Sequence, residues 1–261
     1  MKYSTLILLG RSLKVSFAER AAYRGDFLLS FSVTFLLELI TPLVTLLIYN
    51  SGTTFPGWTL QEALMIQAVF LIARSVAFPL FFGMVWIVFE QAKEGTFEIT
   101  LLKPRSPLLL TMLKGVDIEG VGRILGGILL FLFALKGLPV PGIHAWLLFI
   151  VLLTLSVMVL FGFALILTAS LFIWIGNGRV IELLESILVF SRYPGSIFSS
   201  PVQWIFAVVV PLSMIALYPA EALMGRTDPL MVYSIPTSFA FLGAGYLFWK
   251  CMIRRYAGGG G

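Results

Sequence analysis

The chain has 261 residues, of which 59% are hydrophobic and 12% are charged, and its mean hydropathy is +0.99. Soluble proteins carry about 25% charged residues, so this composition excludes an ordinary soluble domain and indicates a protein that crosses a membrane several times. The net charge of +5 does not indicate nucleic-acid binding, because most lysines and arginines lie in short segments between apolar runs, where they act as topology signals.

Residues 3–24 predict an amphipathic helix that lies in the headgroup region of the membrane. Its apolar side chains recur every three or four residues, at Leu6, Leu9, Leu13 and Phe17. Two basic side chains, Arg11 and Lys14, lie on the opposite face. The alternative is an ordinary basic flank that marks the cytoplasmic side. The apolar run at 5–10 is too short for a cleavable signal peptide.

Six apolar stretches are candidate transmembrane helices, since a helix needs about 20 apolar residues to cross the hydrocarbon core. They cover residues 27–49, 64–89, 114–135, 143–174, 180–199 and 233–252. Five basic residues precede the first stretch and none occurs in the linker 50–59, so the positive-inside rule predicts a cytoplasmic N-terminus. The basic residues Lys250, Arg254 and Arg255 predict that the C-terminus is cytoplasmic too.

The region 180–226 is ambiguous, because residues 180–199 and 202–218 are both apolar enough to cross the membrane. If both crossed it, the C-terminus would lie outside, against the positive-inside rule. One of the two is therefore half-inserted or interfacial, as expected for a short apolar segment broken by proline. Composition alone does not decide which of them spans.

Charged residues inside the apolar stretches are candidate functional residues, because a charge in the bilayer is costly unless it is paired, neutralised or faces a cavity. Glu38 lies near the middle of the first stretch and Arg74 in the middle of the second, and a pair between them is one interpretation. The candidates in the fifth stretch are Glu182, Glu185 and Arg192. The alternative is that these residues only make contacts between helices. Arg123, at the start of the third stretch, is expected to stay hydrated by snorkelling to the cytoplasmic surface.

The segment 90–107, EQAKEGTFEITLLKPRSP, is charged and turn-rich, and its basic residues predict a cytoplasmic position. Gly95 and Pro104 bracket the run FEITLL. The apolar residues of that run would be unusually exposed on a loop that bound nothing; they are Phe97, Ile99, Leu101 and Leu102. The sequence therefore predicts a loop that docks onto a partner, and a solvated connecting loop is the alternative.

Nucleotide-binding and catalytic motifs are absent from the sequence. It has no GxxxxGK[ST] loop for ATP and no GxSxG or HExxH element. A single cysteine, Cys251, excludes an internal disulfide, and a single histidine, His144, leaves no basis for a His/Cys metal cage. We expect a non-catalytic membrane protein without a cofactor of its own: a channel, a secondary transporter, or the membrane half of a pump whose motor is another protein.

Two runs resemble a known family. EGTFEITLLKPRSP resembles the loop between the second and third spans of type-2 ABC exporter permeases. RYPGSIFSSPVQWIFAVVVPLSMIALYPAEALMG is similar to the region before the last span in one branch of that superfamily, the ABC-2 family transporter proteins. The similarity covers most of the chain and includes the N-terminal amphipathic helix, which is followed by YRGDF.

The resemblance implies an all-α fold with a single permease domain over residues 1–257, followed by a glycine tail or linker at 258–261. Six transmembrane helices, an interface helix at the N-terminus and a re-entrant segment at 202–224 are expected, with 180–199 as the fifth span. The resemblance also implies a multi-pass protein of the inner membrane, in contact with lipids. Its partners would be a second permease subunit, identical or homologous, and two cytoplasmic ABC ATPase subunits that hold the ATP and Mg.

The resemblance further implies that the loop after the second span inserts a short helix into the ATPase. The coupling residues would be Glu90, Glu94, Gly95, Phe97, Leu101, Leu102, Lys103 and Pro104. ATP binding would then open a substrate route between the first, second and fifth spans of a permease dimer. The alternative function is an ion-coupled secondary transporter or channel, in which Glu38, Arg74, Glu182 and Glu185 form a charge relay.

Overall fold

The structure, a computed structural model, describes residues 24–115, 121–174 and 178–256, together with Gly10 and Lys14. In this part of the chain every regular element is a helix, which confirms the all-α prediction. The α-helices are α1 (Arg24–Asn50), α2 (Leu60–Ala77), α3 (Gly83–Lys93), α4 (Phe97–Leu101), α5 (Pro107–Lys114), α6 (Val121–Leu135), α7 (Ile143–Ser170), α8 (Arg179–Val189), α9 (Ser200–Trp204), α10 (Leu217–Met224) and α11 (Leu230–Arg255).

Irregular helical turns interrupt this pattern at four places. Residues Phe78–Phe82 and Ile205–Val209 are π-helical, and Phe190–Arg192 and Gly195–Ile197 are 3₁₀ turns. Of the predicted interface helix, Gly10 and Lys14 are helical and exposed. The other side chains predicted for it, at Leu6, Leu9, Arg11, Leu13 and Phe17, lie outside the described residues.

Within the described residues, four helical stretches are long and apolar enough to cross a membrane: Gly25–Asn50, Leu60–Lys93, Ile143–Ser170 and Leu230–Arg255. They correspond to the first, second, fourth and last predicted spans. The third and fifth predicted spans, at 114–135 and 180–199, stay predictions, and α6 and most of α8 lie within them. α5 ends at Lys114 and the buried Gly115 follows it, while α8 ends at Val189 and is followed by 3₁₀ turns and Pro194, which lacks the N–H that an α-helix needs.

The second stretch has a defined start and a defined irregularity. A capping box begins α2, since the Thr59 side chain accepts a hydrogen bond from the Glu62 backbone N–H and the Glu62 carboxylate accepts one from the Thr59 N–H. The sequence predicts a kink at Pro79, and this residue lies in the π-helical segment between α2 and α3. Because proline lacks the backbone N–H, the helix cannot form its regular hydrogen bond at this position, and the wider π turn accommodates the proline.

Helix α6 packs closely on α1 because glycines line the contact. A Cβ atom on Gly122 would lie 2.7 Å from the Phe31 carbonyl oxygen, and one on Gly126 would lie 3.5 Å from the Phe35 ring. Real Cβ atoms essentially never approach within 3.0 Å, so Gly122 is required for this approach. The close contact brings the next residue, Arg123, against the middle of α1.

The bundle has two ends, which we name by an aromatic residue at each. At the Tyr256 end, the rings of Phe97 and Phe172 pack against Tyr256, next to the end of α11. At the Trp58 end, Arg226 stacks on Trp58 at 4.5 Å from the ring centroid and forms a 2.7 Å ion pair with a carboxylate of α2. These contacts of Arg226 therefore hold the end of α10 against the start of α2.

The segment 196–226 starts and finishes at the Trp58 end. The Ser196 hydroxyl donates a 2.8 Å hydrogen bond to the Pro56 carbonyl, and Arg226 donates to the Gly57 carbonyl at 3.1 and 3.2 Å. Between these points the chain enters the bundle through α9 and the second π segment and returns through α10. The turn at 210–216 lies beside Ser156, halfway along α7, whose hydroxyl contacts the carbonyls of residues 214 and 215 at 2.8 and 2.6 Å.

Candidate functional site

Two arginines from distant parts of the chain meet at Glu38, halfway along α1. Glu38 Oε1 is 3.0 Å from Nε of Arg123, and Oε2 is 3.4 Å from Nη2 of Arg192. Arg192 also donates a 2.8 Å hydrogen bond to the hydroxyl of Thr41, one turn further along α1. The Glu38 side chain is only 9% exposed. This junction therefore lies inside the helix bundle, where few groups other than these can solvate the carboxylate.

A second ion pair lies beside the first. Nη2 of Arg74 is 3.6 Å from Oε2 of Glu185, which is too long for a hydrogen bond. The Phe78 ring is shared by two guanidinium groups, with Arg74 at 4.4 Å and Arg123 at 4.5 Å from its centroid. Cation–π contacts stabilise by about 0.5–2 kcal/mol each, so the ring holds both groups in place. We call Glu38, Arg74, Arg123, Glu185 and Arg192 the charged cluster.

The charged cluster corrects two sequence-based interpretations. The sequence suggests a pair between Arg74 and Glu38, but the carboxylate within ion-pair distance of Arg74 is Glu185. Arg123 was expected to snorkel to the cytoplasmic surface, but it lies beside Glu38. Glu38 is 85 residues from Arg123 and 154 from Arg192 along the chain. Spacing within a helix carries no information about such partners, which depend on how α6 and the 3₁₀ turn after α8 approach α1.

The remaining candidate of the fifth stretch, Glu182, lies apart from the charged cluster. It is exposed on α8, one turn before Glu185, and it makes no ion pair with any residue that the structure describes. The relay predicted for an ion-coupled transporter contains four residues, and three of them belong to the charged cluster. Glu182 is not joined to them in this structure.

Sequence reasoning missed the polar stripe on α1. Thr45 accepts a 2.7 Å hydrogen bond from the buried side-chain amide of Gln67 in α2, and Thr41 accepts from Arg192. With Glu38, these residues are spaced three and four apart, so they share one face of α1. That spacing is visible in the sequence and could have indicated the face that packs against the rest of the bundle.

The predicted docking loop contains a short helix, α4, whose inner side is packed against the helix bundle. Phe97 is fully buried, with its ring centroid 4.8 Å from that of Phe172 and 5.4 Å from that of Tyr256. The buried Thr100 hydroxyl donates a 3.1 Å hydrogen bond to the side chain of Gln91 in α3. Burial raises the pKa of the Tyr256 phenol, and the nearby carboxylate of Glu98 raises it further. The aromatic anchor is therefore an uncharged contact.

The outer face of α4 carries exposed apolar side chains. Ile99 is 59% exposed and Leu102 is 85% exposed, whereas Leu101 is half-buried against the core. The expectation that Phe97 would be exposed is wrong, because its ring fills the space between α4 and the ends of α7 and α11. The exposed apolar surface of this loop consists of residues 99 and 102, which are three apart and share a helix face.

The polar coupling candidates surround α4. Gly95 has a φ of +70°, a left-handed conformation that favours glycine and turns the chain between α3 and α4. The other candidates, Glu90, Glu94, Lys103 and Pro104, are exposed. Burial and the repulsion of Lys103 lower the pKa of Lys114, at the end of α5. The loop therefore presents a small apolar patch framed by charges of both signs.

Comparison with known proteins identifies the family. A family model described as an ABC-2 family transporter protein matches residues 35–260. The chain belongs to this ABC-2 transporter family. Searches of curated proteins and of solved structures found no match.

The family match agrees with the sequence resemblance and fixes the general role of the protein. The matched range includes the charged cluster, α4 and the segment 196–226, and it begins after the predicted interface helix. An ABC-2 permease is generally a non-catalytic membrane component that works with an ABC ATPase. The described part of this ABC-2 family protein contains no group of three or more His, Cys, Asp or Glu residues that could hold a metal ion.

Proposed function

We propose that this ABC-2 family protein is the permease subunit of an ATP-driven exporter. Two permease subunits form the substrate path, and each is coupled to a separate cytoplasmic ATPase through α4. The observation that carries the proposal is the two-sided character of α4. Phe97 and Thr100 fix one side to the bundle, while Ile99 and Leu102 present an apolar surface on the other.

This two-sided character suits a coupling element better than a connecting loop. A loop that only joins two spans gains nothing from exposed apolar side chains, because they lower solubility and bind nothing. An element that transmits movement must be rigidly attached to the part that moves, and it must bind the motor with different strength in two states. The buried ring of Phe97 supplies the attachment, and the exposed side chain of Leu102 supplies a contact.

The distribution of basic residues supports a cytoplasmic position for α4. The Tyr256 end carries Lys93, Lys103, Arg105, Lys250, Arg254 and Arg255, whereas Lys136 and Arg226 are the basic residues described near the Trp58 end. By the positive-inside rule the Tyr256 end faces the cytoplasm. The protein then lies in the cytoplasmic membrane with both of its termini inside.

Six crossings and a re-entrant segment fit the contacts at the two ends. Gly178 lies next to the Phe89 ring near the Tyr256 end, and Ser196 contacts Pro56 at the Trp58 end, so residues 178–197 can serve as the fifth crossing. The segment 196–226 leaves and returns at the same end, as a re-entrant segment does. Its irregular backbone is satisfied by neighbouring helices, since the Ser234 hydroxyl donates a 2.6 Å hydrogen bond to the carbonyl of Ala207.

The same helices connect α4 to the charged cluster. Helix α4 follows α3 directly, and α3 continues through the π segment into α2, which carries Arg74. A π segment inside a helix often marks a place where the helix can change its geometry. Closure of the ATPase subunits would move α4, and the π segment would pass that movement to Phe78 and Arg74.

A co-purification experiment tests the docking assignment. The tagged chain is purified from solubilised membranes, and co-purifying P-loop ATPases are identified by mass spectrometry. We expect an ABC ATPase with the wild-type chain and its loss with the double variant Ile99→Asp/Leu102→Asp. The control is Val140→Asp, which places one such charge on a residue that is 95% exposed near the Trp58 end. Retention of the ATPase by the double variant would show that α4 is not the docking element.

Cysteine labelling tests the orientation. Cys251 is the only cysteine, so Cys251→Ser gives a cysteine-free background in which Lys103→Cys and Val140→Cys each provide one exposed thiol. A membrane-impermeant maleimide should label Val140→Cys in cells whose outer membrane is permeabilised and whose cytoplasmic membrane is intact. It should label Lys103→Cys only after the cytoplasmic membrane is permeabilised as well. The reverse pattern would place α4 outside.

Reconstitution distinguishes the alternative function. The purified chain is placed in liposomes without any ATPase, and ion gradients are imposed across the membrane. We expect no transport driven by the gradient alone. Gradient-driven transport by the isolated chain would favour the ion-coupled transporter.

A further inference from the structure

The charged cluster contains more positive than negative charge. Among the residues that the structure describes, three arginines face two carboxylates, and the nearest further carboxylate on α8, Glu182, is exposed and makes no ion pair with any of them. Glu38 is shared between two of the arginines. A fixed positive charge in an apolar bundle is strongly unfavourable unless an anion accompanies it.

Arg74 is the least satisfied member of the charged cluster. Its side chain is 12% exposed, and its contact with Glu185 at 3.6 Å is longer than a hydrogen bond. The buried Nε of Arg74 has no hydrogen-bond partner among the described residues, and the same is true of the buried Nε of Arg192. A guanidinium group has five N–H donors in a planar fork that matches carboxylate and phosphate oxygens. Buried donors of this kind are normally hydrogen-bonded.

The aromatic neighbours hold the guanidinium groups in place. Phe78 lies against both Arg74 and Arg123, and the Phe70 ring lies 4.8 Å from Arg192. Arg74 is also close enough to Arg123 and Arg192 to be repelled by them, and to Glu185 and Glu38 to be attracted by them. Three cations that share two carboxylates and are held by aromatic rings resemble a site prepared for an anion more than a set of closed ion pairs.

We propose that the charged cluster binds an oxyanion group, a carboxylate or a phosphate, of the molecule that the permease carries. Glu38, Arg74 and Glu185 lie on α1, α2 and α8, the helices of the first, second and fifth spans between which the substrate route is expected, and Arg123 of α6 and Arg192 of the 3₁₀ turn after α8 complete the cluster. The proposal rests on the proposed transport function, and it narrows the substrate class to acidic molecules. Glu185, which is 38% exposed, competes with the anion for Arg74 and can be displaced from it.

Direct binding to the purified chain in phosphatidylcholine nanodiscs tests the proposal. The probe is radiolabelled dodecyl phosphate, with dodecanol and dodecylammonium as neutral and cationic competitors, and inorganic phosphate as a competitor without an acyl chain. We expect saturable binding that neither dodecanol nor dodecylammonium displaces. Competition by inorganic phosphate would identify a soluble oxyanion ligand, and failure to compete would identify an amphiphile. Equal displacement by dodecanol would overturn the proposal.

Variants with opposite expected effects separate binding from damage to the fold. Arg74→Gln should weaken dodecyl phosphate binding by about tenfold or more, because a charge-assisted hydrogen bond is lost. Glu185→Gln should strengthen it, because the competing carboxylate is removed, and a merely misfolded protein cannot bind more tightly. Arg254→Gln, the same change at the Tyr256 end, is the control. Equal affinities for Arg74→Gln and Arg254→Gln, or weaker binding by Glu185→Gln, would overturn the proposal.

The binding measurement is independent of ATPase co-purification. If dodecyl phosphate binds with the expected variant pattern but no ATPase co-purifies, the anion site is supported and the exporter assignment is contradicted. ATPase co-purification without dodecyl phosphate binding would do the reverse.

Discussion

The substitution Glu38→Gln tests the junction on which the charged cluster depends. The carboxylate lies 3.0 Å from Arg123 and 3.4 Å from Arg192, and its side chain is 9% exposed. Removing one partner of a buried ion pair costs about 3–5 kcal/mol, because a charge is left without compensation. For a chain of this size about 2–4 °C of melting temperature corresponds to each kcal/mol, so we expect a decrease of about 6–20 °C.

Thermal unfolding in detergent, followed by size-exclusion chromatography of the heated samples, measures this decrease. Glu182→Gln is the matched control, since it makes the same change on an exposed side chain, where surface substitutions usually shift stability by less than about 0.5 kcal/mol. In the double variant Glu38→Gln/Arg123→Gln, the loss should be smaller than the sum of the two single losses. A Glu38→Gln protein that melts within 2 °C of the wild type, judged against the range above, would refute the reasoning.

Three further substitutions test the packing of the bundle by the same melting assay. Phe97→Ala should cost about 3–5 kcal/mol, as for other buried phenylalanines, and an unchanged melting temperature would contradict the anchoring of α4. Gly83→Ala should cost about 1–3 kcal/mol by overpacking, because its Cβ would meet the carbonyl of the glycine that follows α5, whereas Gly243→Ala, with nothing within 4 Å, should be neutral or stabilising. Ser156→Ala should cost about 1–3 kcal/mol, since it leaves two carbonyls of the 210–216 turn with one donor fewer; a loss below about 0.5 kcal/mol would show that the turn is satisfied by other groups.

In the docking loop, composition predicts that apolar residues are present, and the tertiary structure shows which of them are exposed. The mixture of charges, glycine, proline and apolar residues at 90–107 is sufficient to predict a polar segment with surface to bury. It does not show which apolar side chains are already buried by the protein itself. Phe97 is buried beneath α4 by aromatic rings at residues 172 and 256, and those contacts lie far away in the sequence. The usable surface is therefore Ile99 and Leu102.

The sequence alone is sufficient to identify a multi-span helical membrane protein of the ABC-2 transporter family, because hydropathy, charge asymmetry and the family pattern are local properties of the chain. It also indicates that Glu38, Arg74, Glu185 and Arg192 are unusual, since an ionisable residue within an apolar stretch is visible without any fold. Which of these charges meet becomes visible when the helices are packed together. The tertiary structure pairs Glu38 with Arg123 and leaves Arg74 incompletely satisfied, because ion pairs between helices depend on how the helices pack and not on their separate sequences.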